Sequence, residues 1–275
     1  MGASPQFDGK VVIVTGAAGG LGRAFAQGFA AEGAQLVVAD IDQAGVEETA
    51  SMLKASGAKA IAVKVDVTSK ESTDALAQAA LDAFGRIDVL INNAAIYATL
   101  TRKPFTEIDP AEWDRVMNVN VKGAWLCSAS VYPKMAQPGG RIVNIASAAG
   151  TLSNPKMSVY ASSKWALIGW SDSVRLELKQ QGHDNVKVTT VCPSYIATGM
   201  FEGVKGPLMT PIMQPEYVVN RVWHAMTAGK PMLMLPWTVH LSKVLKGILP
   251  QSWFDAIAGN VFGVYNTMDK FTGRK

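Results

Sequence analysis

The sequence predicts an α/β protein: a single-domain, Rossmann-type doubly wound parallel sheet of about seven strands with helices on both faces. Three observations carry this. Short β-branched runs alternate with longer helical patterns through residues 1–200. Several of those runs are apolar almost throughout, so they need cover on both faces. A glycine-rich turn follows the first run and opens the first helix.

The strands read as 10–16 (KVVIVTG), 34–40 (AQLVVAD), 60–67 (AIAVKVDV), 87–93 (IDVLINN), 140–147 (GRIVNIAS) and 186–192 (VKVTTVC), with 231–236 (PMLMLP) as a seventh. Helical patterns fill the spaces at 20–32, 42–56, 70–84, 110–136, 158–181 and 215–228. Repeated strand, helix, strand units close only as parallel pairs with right-handed crossovers. No Gly/Ser linker, internal repeat or low-complexity tract cuts the chain, so residues 1–275 are expected as one domain. Within it, 193–215 reads as a lid loop and 237–275 as a C-terminal extension.

Composition narrows the classes. A hydrophobic content of 48% with 17% charge excludes a disordered chain. Cys127 and Cys192 lie far apart in apolar stretches, so core thiols in a reducing, cytoplasmic setting are expected rather than a disulfide framework. The start has no apolar run of the kind a secretory leader needs, and no apolar run is long enough to span a bilayer. Gly2 raises a myristoylation pattern that Gln6 does not complete. The net charge of +4 comes wholly from the last quarter: residues 1–200 hold 18 basic and 18 acidic side chains, residues 201–275 hold 8 and 4. That is too little for a groove that tracks phosphates, so no nucleic-acid partner is expected. His183, His224 and His240 have no metal-ligand spacing, so no metal is expected.

Two segments carry the chemistry. In TGAAGGLGR, Thr15, Gly16, Gly20 and Gly22 precede a helix, where bare N–H groups and the helix dipole favour a pyrophosphate. Asp40 ends the second strand, where a carboxylate accepts both ribose hydroxyls and repels a 2′-phosphate. The cofactor expected is therefore NAD rather than NADP. In VYASSKWALIGW, Tyr160 and Lys164 stand one helical turn apart, so their tips can serve one site. An isolated pair of this kind is ordinarily a snorkelling surface pair, and only its surroundings make it functional. Those surroundings include Ser147 at the end of the fifth strand and Asn120 in a helix that it suits poorly.

With these motifs in this order, the chain resembles the short-chain dehydrogenase/reductase family over at least residues 8–200. The resemblance implies a catalytic tetrad of Asn120, Ser147, Tyr160 and Lys164. It implies cofactor contacts from Gly16, Gly20, Leu21, Gly22, Asp40, Ile41, Asp66, Val67, Asn93, Ala94, Tyr160, Lys164, Pro193, Ile196 and Thr198. Two departures stand near the nicotinamide end: Ala95 and Ser194 occupy positions where the family usually has glycine.

A free tyrosine has a pKa near 10, so only about one in a thousand is phenolate at pH 7. The Lys164 ammonium and the positive nicotinamide ring are expected to offset this deficit together. Tyr160 then exchanges a proton with the substrate oxygen while Ser147 orients that oxygen. The resemblance further implies that Lys164 binds the nicotinamide ribose and that Asn120 holds a water linking Lys164 to solvent.

The expected substrate is a lipophilic secondary alcohol or its ketone, aromatic, terpenoid or steroid-like. Tyr97, Tyr195, Met200, Phe201 and Leu208 would line its pocket, with Met209 and Met213 beside them. No Arg or Lys stands where it could clamp a carboxylate. The alternatives are a carbonyl reductase for a small keto or 3-oxoacyl substrate, and a catalytically silent dinucleotide-binding protein.

The extension resembles the retinol and hydroxysteroid dehydrogenase branch of the family in the spacing of its two Leu-Pro pairs and MDKFTGR. Its Val239, Leu241, Val244, Leu245 and Ile248, with Lys243 and Lys246 interspersed, suit a helix on a lipid surface, over the pocket or at a subunit interface. A homodimer or homotetramer is expected.

Overall fold

The structure is a computed structural model, and the residues described are 7–97, 104–135, 139–198, 210–263 and 265. Seven strands form one parallel sheet: β1 (Val11–Thr15), β2 (Gln35–Asp40), β3 (Ala60–Lys64), β4 (Val89–Asn92), β5 (Arg141–Ile145), β6 (Lys187–Pro193) and β7 (Met232–Leu235). Their order across the sheet is β3-β2-β1-β4-β5-β6-β7. The chain winds outward from β1 to β3, then returns past β1 and winds the other way. The order thus reverses between β1 and β4, and the crevice beyond their carboxyl ends is where such a sheet takes a ligand.

Alternation along β1 shows why both faces need cover. Val12 and Val14 pack with Phe25, Phe29 and Val222 on one side, while Val11 and Ile13 pack with Leu76, Cys127 and Leu178 on the other. The first side is covered by α1 (Gly20–Ala31), α2 (Gln43–Ala55) and α7 (Pro215–Thr227), the second by α3 (Lys70–Phe84), α5 (Gly123–Val131) and α6 (Ser158–Gln180), with α4 (Pro110–Met117) packed against α6. Ordinary caps set the helix starts: Asp42, Ser69 and Asp109 accept N–H bonds at α2, α3 and α4. At the opposite end of the sheet, Asp88 accepts from the Val11 N–H at 2.9 Å and from the Arg86 guanidinium, locking β1 to β4.

Two boundaries differ most from the sequence reading. The helix expected over 110–136 is two helices, α4 and α5, joined by a π-helical turn at Asn118–Lys122 and followed by a 3-10 turn at Tyr132–Lys134. The strand expected to 67 stops at Lys64, because Asp66 accepts from the Thr68 N–H and hydroxyl and turns the chain. The extension continues as α8 (Trp237–Ile248), α9 (Gln251–Ala256) and a π-helical turn at Ile257–Val261.

Candidate active site

At the carboxyl end of the sheet lies a cavity of about 370 Å³, walled by the β1–α1 turn, the end of β5, the start of α6, the loop after β6 and one face of α8.

The glycine turn is held from the neighbouring strand. The Asn93 side-chain amide donates to the carbonyls of Thr15 at 3.0 Å and Gly16 at 3.1 Å, and the Thr15 hydroxyl accepts from the N–H groups of Asn93 and Ala94 at 3.1 Å each. Gly16 takes a φ of 67°, and a Cβ on Gly22 would lie 2.0 Å from the Gly16 carbonyl oxygen. The turn therefore tolerates no side chain at either position. The α1 helix starts at Gly20 with no side-chain cap and no acidic residue in its first turn. Its leading N–H groups are thus left for an anion. The Asp40 carboxylate accepts from the N–H of Ala18 at 3.2 Å and of Asp42 at 3.1 Å, which fixes it on the cavity wall at the edge of that turn. These donors and the carboxylate fit a dinucleotide.

The reacting end is built by β5 and α6. Ser147 caps a 3-10 turn at Ala148–Gly150, its hydroxyl accepting from the Ala149 N–H at 3.2 Å, and it lines the same cavity as Tyr160. Lys164 is 2% exposed; its ammonium donates to the Ile145 carbonyl at 2.9 Å and sits 5.6 Å from the centre of the Tyr160 ring. Burial pushes the Tyr160 phenol up to about 12, against the nearby Ser147 hydroxyl, and pushes Lys164 down to about 8. The ammonium lies against the ring face and a carbonyl, and in the chain alone the loss of solvent dominates both groups.

Asn120 sits in the π-helical turn, 1% exposed, and its side chain makes three hydrogen bonds. It accepts from the Ile96 N–H at 2.8 Å and donates to the Ile96 carbonyl at 2.9 Å and to Ser163 Oγ at 3.0 Å. Ser163 in turn donates to the Tyr160 carbonyl at 2.7 Å. Asn120 thereby ties the segment after β4 to the turn of α6 that carries Tyr160 and Lys164.

Of the residues expected from the sequence, Gly16, Gly20, Leu21, Asp40, Asn93, Ser147, Tyr160, Lys164, Pro193, Tyr195, Ile196 and Thr198 line the cavity. Gly22 and Ala94 lie behind the glycine turn, and Asn120 behind α6. Ile41 points outward, 64% exposed. Asp66 is engaged in its own turn with Thr68, and Val67 is packed beneath Gly123. Tyr97 packs against Tyr160, ring centres 5.1 Å apart and tilted by 54°, in one cluster with Met157 and Tyr195 of the wall. Met213 is a core residue, 4% exposed, on the isolated bridge to Ile196. Met200, Phe201, Leu208 and Met209 lie outside the described residues. Ala95 and Ser194, the two departures from glycine, both face the cavity.

Sequence reasoning missed Leu152, Met157, Thr238, Val239 and Ser242 on the wall. The last three are on α8, far from the motifs in sequence, and no local signal marks them. Among the described residues no cluster of His, Cys, Asp and Glu could hold a metal. Cys127 and Cys192 are unpaired and buried, and burial pushes both thiols up to about 12.

The family model for short chain dehydrogenases matches residues 10–206. The chain is 34% identical to Epidermal retinol dehydrogenase 2 of Homo sapiens over 271 residues, which is 97% of this chain and 86% of that protein. It is 33% identical to Estradiol 17-beta-dehydrogenase 11 of Homo sapiens over 265 residues, 91% of this chain and 86% of that protein. With Ketoacyl reductase HetN of Nostoc sp. it shares 41% identity over 218 residues, 78% of this chain and 74% of that one. A solved short chain dehydrogenase/reductase from Burkholderia phymatum, in complex with NAD, superposes with a TM-score of 0.80 at 29% identity, covering 88% of this chain and 94% of that one. With the sheet, the glycine turn and the Ser147–Tyr160–Lys164 cluster in one cleft, the chain belongs to the short-chain dehydrogenase family and is an oxidoreductase of its alcohol dehydrogenase type.

Proposed function

We propose that the protein moves a hydride between NAD and a lipophilic secondary alcohol or ketone, with Ser147, Tyr160 and Lys164 handling the proton and Asn120 positioning α6. The observation that carries the reading is that Ser147, Tyr160 and the buried Lys164 line one cavity, across from Asp40 and an uncapped helix start.

The nicotinamide ring supplies the hydride acceptor or donor when it is bound. The chain supplies position and the proton. Gly16, Gly20 and the first turn of α1 hold the pyrophosphate, Asp40 takes the ribose hydroxyls, and Asn93 braces the turn. Ser147 hydrogen-bonds the substrate oxygen. Tyr160 as the phenol donates its proton to a carbonyl oxygen in reduction and is left as the phenolate; oxidation is the reverse and starts from the phenolate, which accepts the hydroxyl proton. Lys164 lies on the far side of the ring, where its charge favours the phenolate form whenever Tyr160 gives up its proton.

The apolar side of the cavity, with Leu152, Met157, Tyr195, Ile196 and Val239, supports a lipophilic substrate. Lys164 is the one cation among the described lining residues, so none is spare to grip a carboxylate. The names of the retinol and estradiol dehydrogenase relatives point the same way. In this reading residues 193–215 are the lid, pinned at its base where Ile196 bridges Met213. The buried unpaired thiols support a cytoplasmic setting. Exposed Trp113, Trp125 and Leu176 on α4, α5 and α6 support a homodimer or homotetramer. A second reading, a ketoacyl reductase, is favoured by the likeness to HetN.

A panel running from short aliphatic to aromatic, terpenoid and steroid alcohols, with NAD and NADP, tests this by absorbance of the reduced nicotinamide. Higher kcat/KM on the bulky alcohols with NAD supports the first reading. Turnover confined to a 3-oxoacyl thioester with NADPH overturns it in favour of the second.

A further inference from the structure

A serine inside a helix commonly spends its hydroxyl on the carbonyl one turn back. Ser128 of α5 donates in this way to Ala124 at 2.7 Å, and Ser171 of α6 to Leu167 at 2.6 Å. Ser242 of α8 makes no such bond; among the described residues its hydroxyl has no partner, and it faces the cavity. One turn earlier on the same side stands Thr238, with Val239 beside it, 4% exposed. The start of α8 has no side-chain cap, and the Thr238 hydroxyl pairs instead with that of Thr210 at 3.0 Å, also on the wall. A bond between two hydroxyls uses one proton and leaves the other to donate. The α8 helix thus turns two hydroxyls with spare donors and acceptors onto a wall whose neighbours, Val239, Leu152 and Met157, are apolar.

These hydroxyls belong to the substrate end of the cavity. Further along α8, Leu245 packs with Leu152, and the Lys246 ammonium donates to the Thr151 carbonyl at 3.3 Å. Both contacts fasten α8 to the segment that follows Ser147, whereas the glycine turn and Asp40 form the dinucleotide end. The charged residues on the described wall are Asp40, Asp42 and Lys164, none of them on α8 or on that segment. The group that Thr238 and Ser242 suit is therefore uncharged.

We infer that Thr238 and Ser242 bind a second oxygen of the substrate, a hydroxyl or a carbonyl, at the end opposite to the reacting carbon. The inference rests on the reading of the reaction proposed above and narrows its substrate to a lipophilic alcohol or ketone with two oxygen functions. An alcohol with a wholly apolar far end would cover both hydroxyls and leave them unpaired, and a site built to hydrogen-bond an oxygen discriminates against the analogue that lacks it.

The test uses the full chain with NAD and two matched pairs of alcohols: decan-2-ol against decane-1,9-diol, and androstan-17-ol against its 3-oxo derivative. Wild type should show a KM at least about threefold lower for the doubly oxygenated member, with kcat less affected, because a bond remote from the reacting carbon is made alike in ground and transition states. Ser242→Ala and Thr238→Val should each shrink that ratio about three- to tenfold, the worth of one neutral hydrogen bond. Ser242→Ala removes no bond within the described fold, so its result stands whether or not the Thr210 pairing survives in the other variant. Val239→Ala, which alters shape alone, should leave the ratio as in wild type. Calorimetric titration of the NAD complex in a Tyr160→Phe background reads the same preference without turnover. Equal KM and affinity within each pair, a preference that both variants retain, or no binding of either doubly oxygenated alcohol overturns the inference. Turnover without preference leaves the proposed reaction standing, while preferential binding without turnover in wild type removes the reaction and keeps the subsite.

Discussion

Replacing Lys164 by Met should change how stability depends on pH, and the structure sets the size of the change. The ammonium is 2% exposed, and burial lowers its pKa from 10.5 to about 8. A difference of about 2.5 units at about 1.36 kcal/mol each makes the charged form cost roughly 3 kcal/mol in the folded state. Because the folded value lies below the unfolded one, the stabilising contribution is present above the unfolded pKa and is lost as pH falls through about 8. Tyr160 is shifted the opposite way, up to about 12, so it removes stability only as pH rises beyond the ordinary tyrosine range, and measurements up to about pH 10 keep the two largely apart. Met retains the stem and discards the charge, but leaves the Ile145 carbonyl without its 2.9 Å donor, at about 1–3 kcal/mol. The absolute gap between the two proteins at neutral pH is therefore small, and its pH dependence is the diagnostic. Urea unfolding without cofactor, extrapolated to water at intervals between about pH 7 and 10, should show wild type gaining roughly 2–3 kcal/mol relative to Lys164→Met. Profiles that stay parallel to within about 0.5 kcal/mol would refute a buried, depressed lysine beneath Tyr160.

Tyr160→Phe should lower kcat about 10²- to 10⁴-fold while calorimetry still shows NAD binding, since the ring remains and only the proton-transfer group is lost; a loss under about tenfold would remove Tyr160 from the acid–base role. Asp40→Ala should raise the NADP-to-NAD ratio of kcat/KM about 10- to 100-fold, the equivalent of a charged hydrogen bond to the ribose, and an unchanged ratio sinks that assignment. Gly22→Ala should weaken NAD binding at least about tenfold and lower Tm, because its Cβ would lie 2.0 Å from the Gly16 oxygen and push the turn off its geometry. Asp88→Asn, remote from the cleft, should cost about 1–3 kcal/mol in unfolding by removing the charge that pairs Arg86 and Lys10, with KM for NAD unchanged.

The sheet was legible because its signals are local. The apolar runs at 10–16, 34–40 and 87–93 needed two-sided cover wherever they lay, and the observed strands Val11–Thr15, Gln35–Asp40 and Val89–Asn92 fall inside them. Spacing likewise brought Tyr160 and Lys164 to one face, and a glycine string between strand and helix announced a turn without side chains. Composition and short-range periodicity thus determined the fold class, while the roles of the polar groups at the cleft came from the resemblance of the motifs to the family.

Other features depended on contacts between distant segments. Nothing local to Asn120 says that its amide will be spent on Ile96 and Ser163, or that the helix will loosen into a π-helical turn to reach them. The extension shows the division most clearly. In sequence Val239, Leu241, Val244, Leu245 and Ile248 are five equivalent apolar residues, and three destinations were open to the helix that carries them. Packing of Val239 at the cavity and of Leu245 against Leu152 and Phe254 turned one side inward and left Leu241, Val244 and Ile248 facing out. The direction of Tyr160's titration was also decided by tertiary structure. Sequence supplies a lysine one turn away, but the depth of burial decides whether its charge or the loss of solvent dominates, and depth is a property of the whole fold.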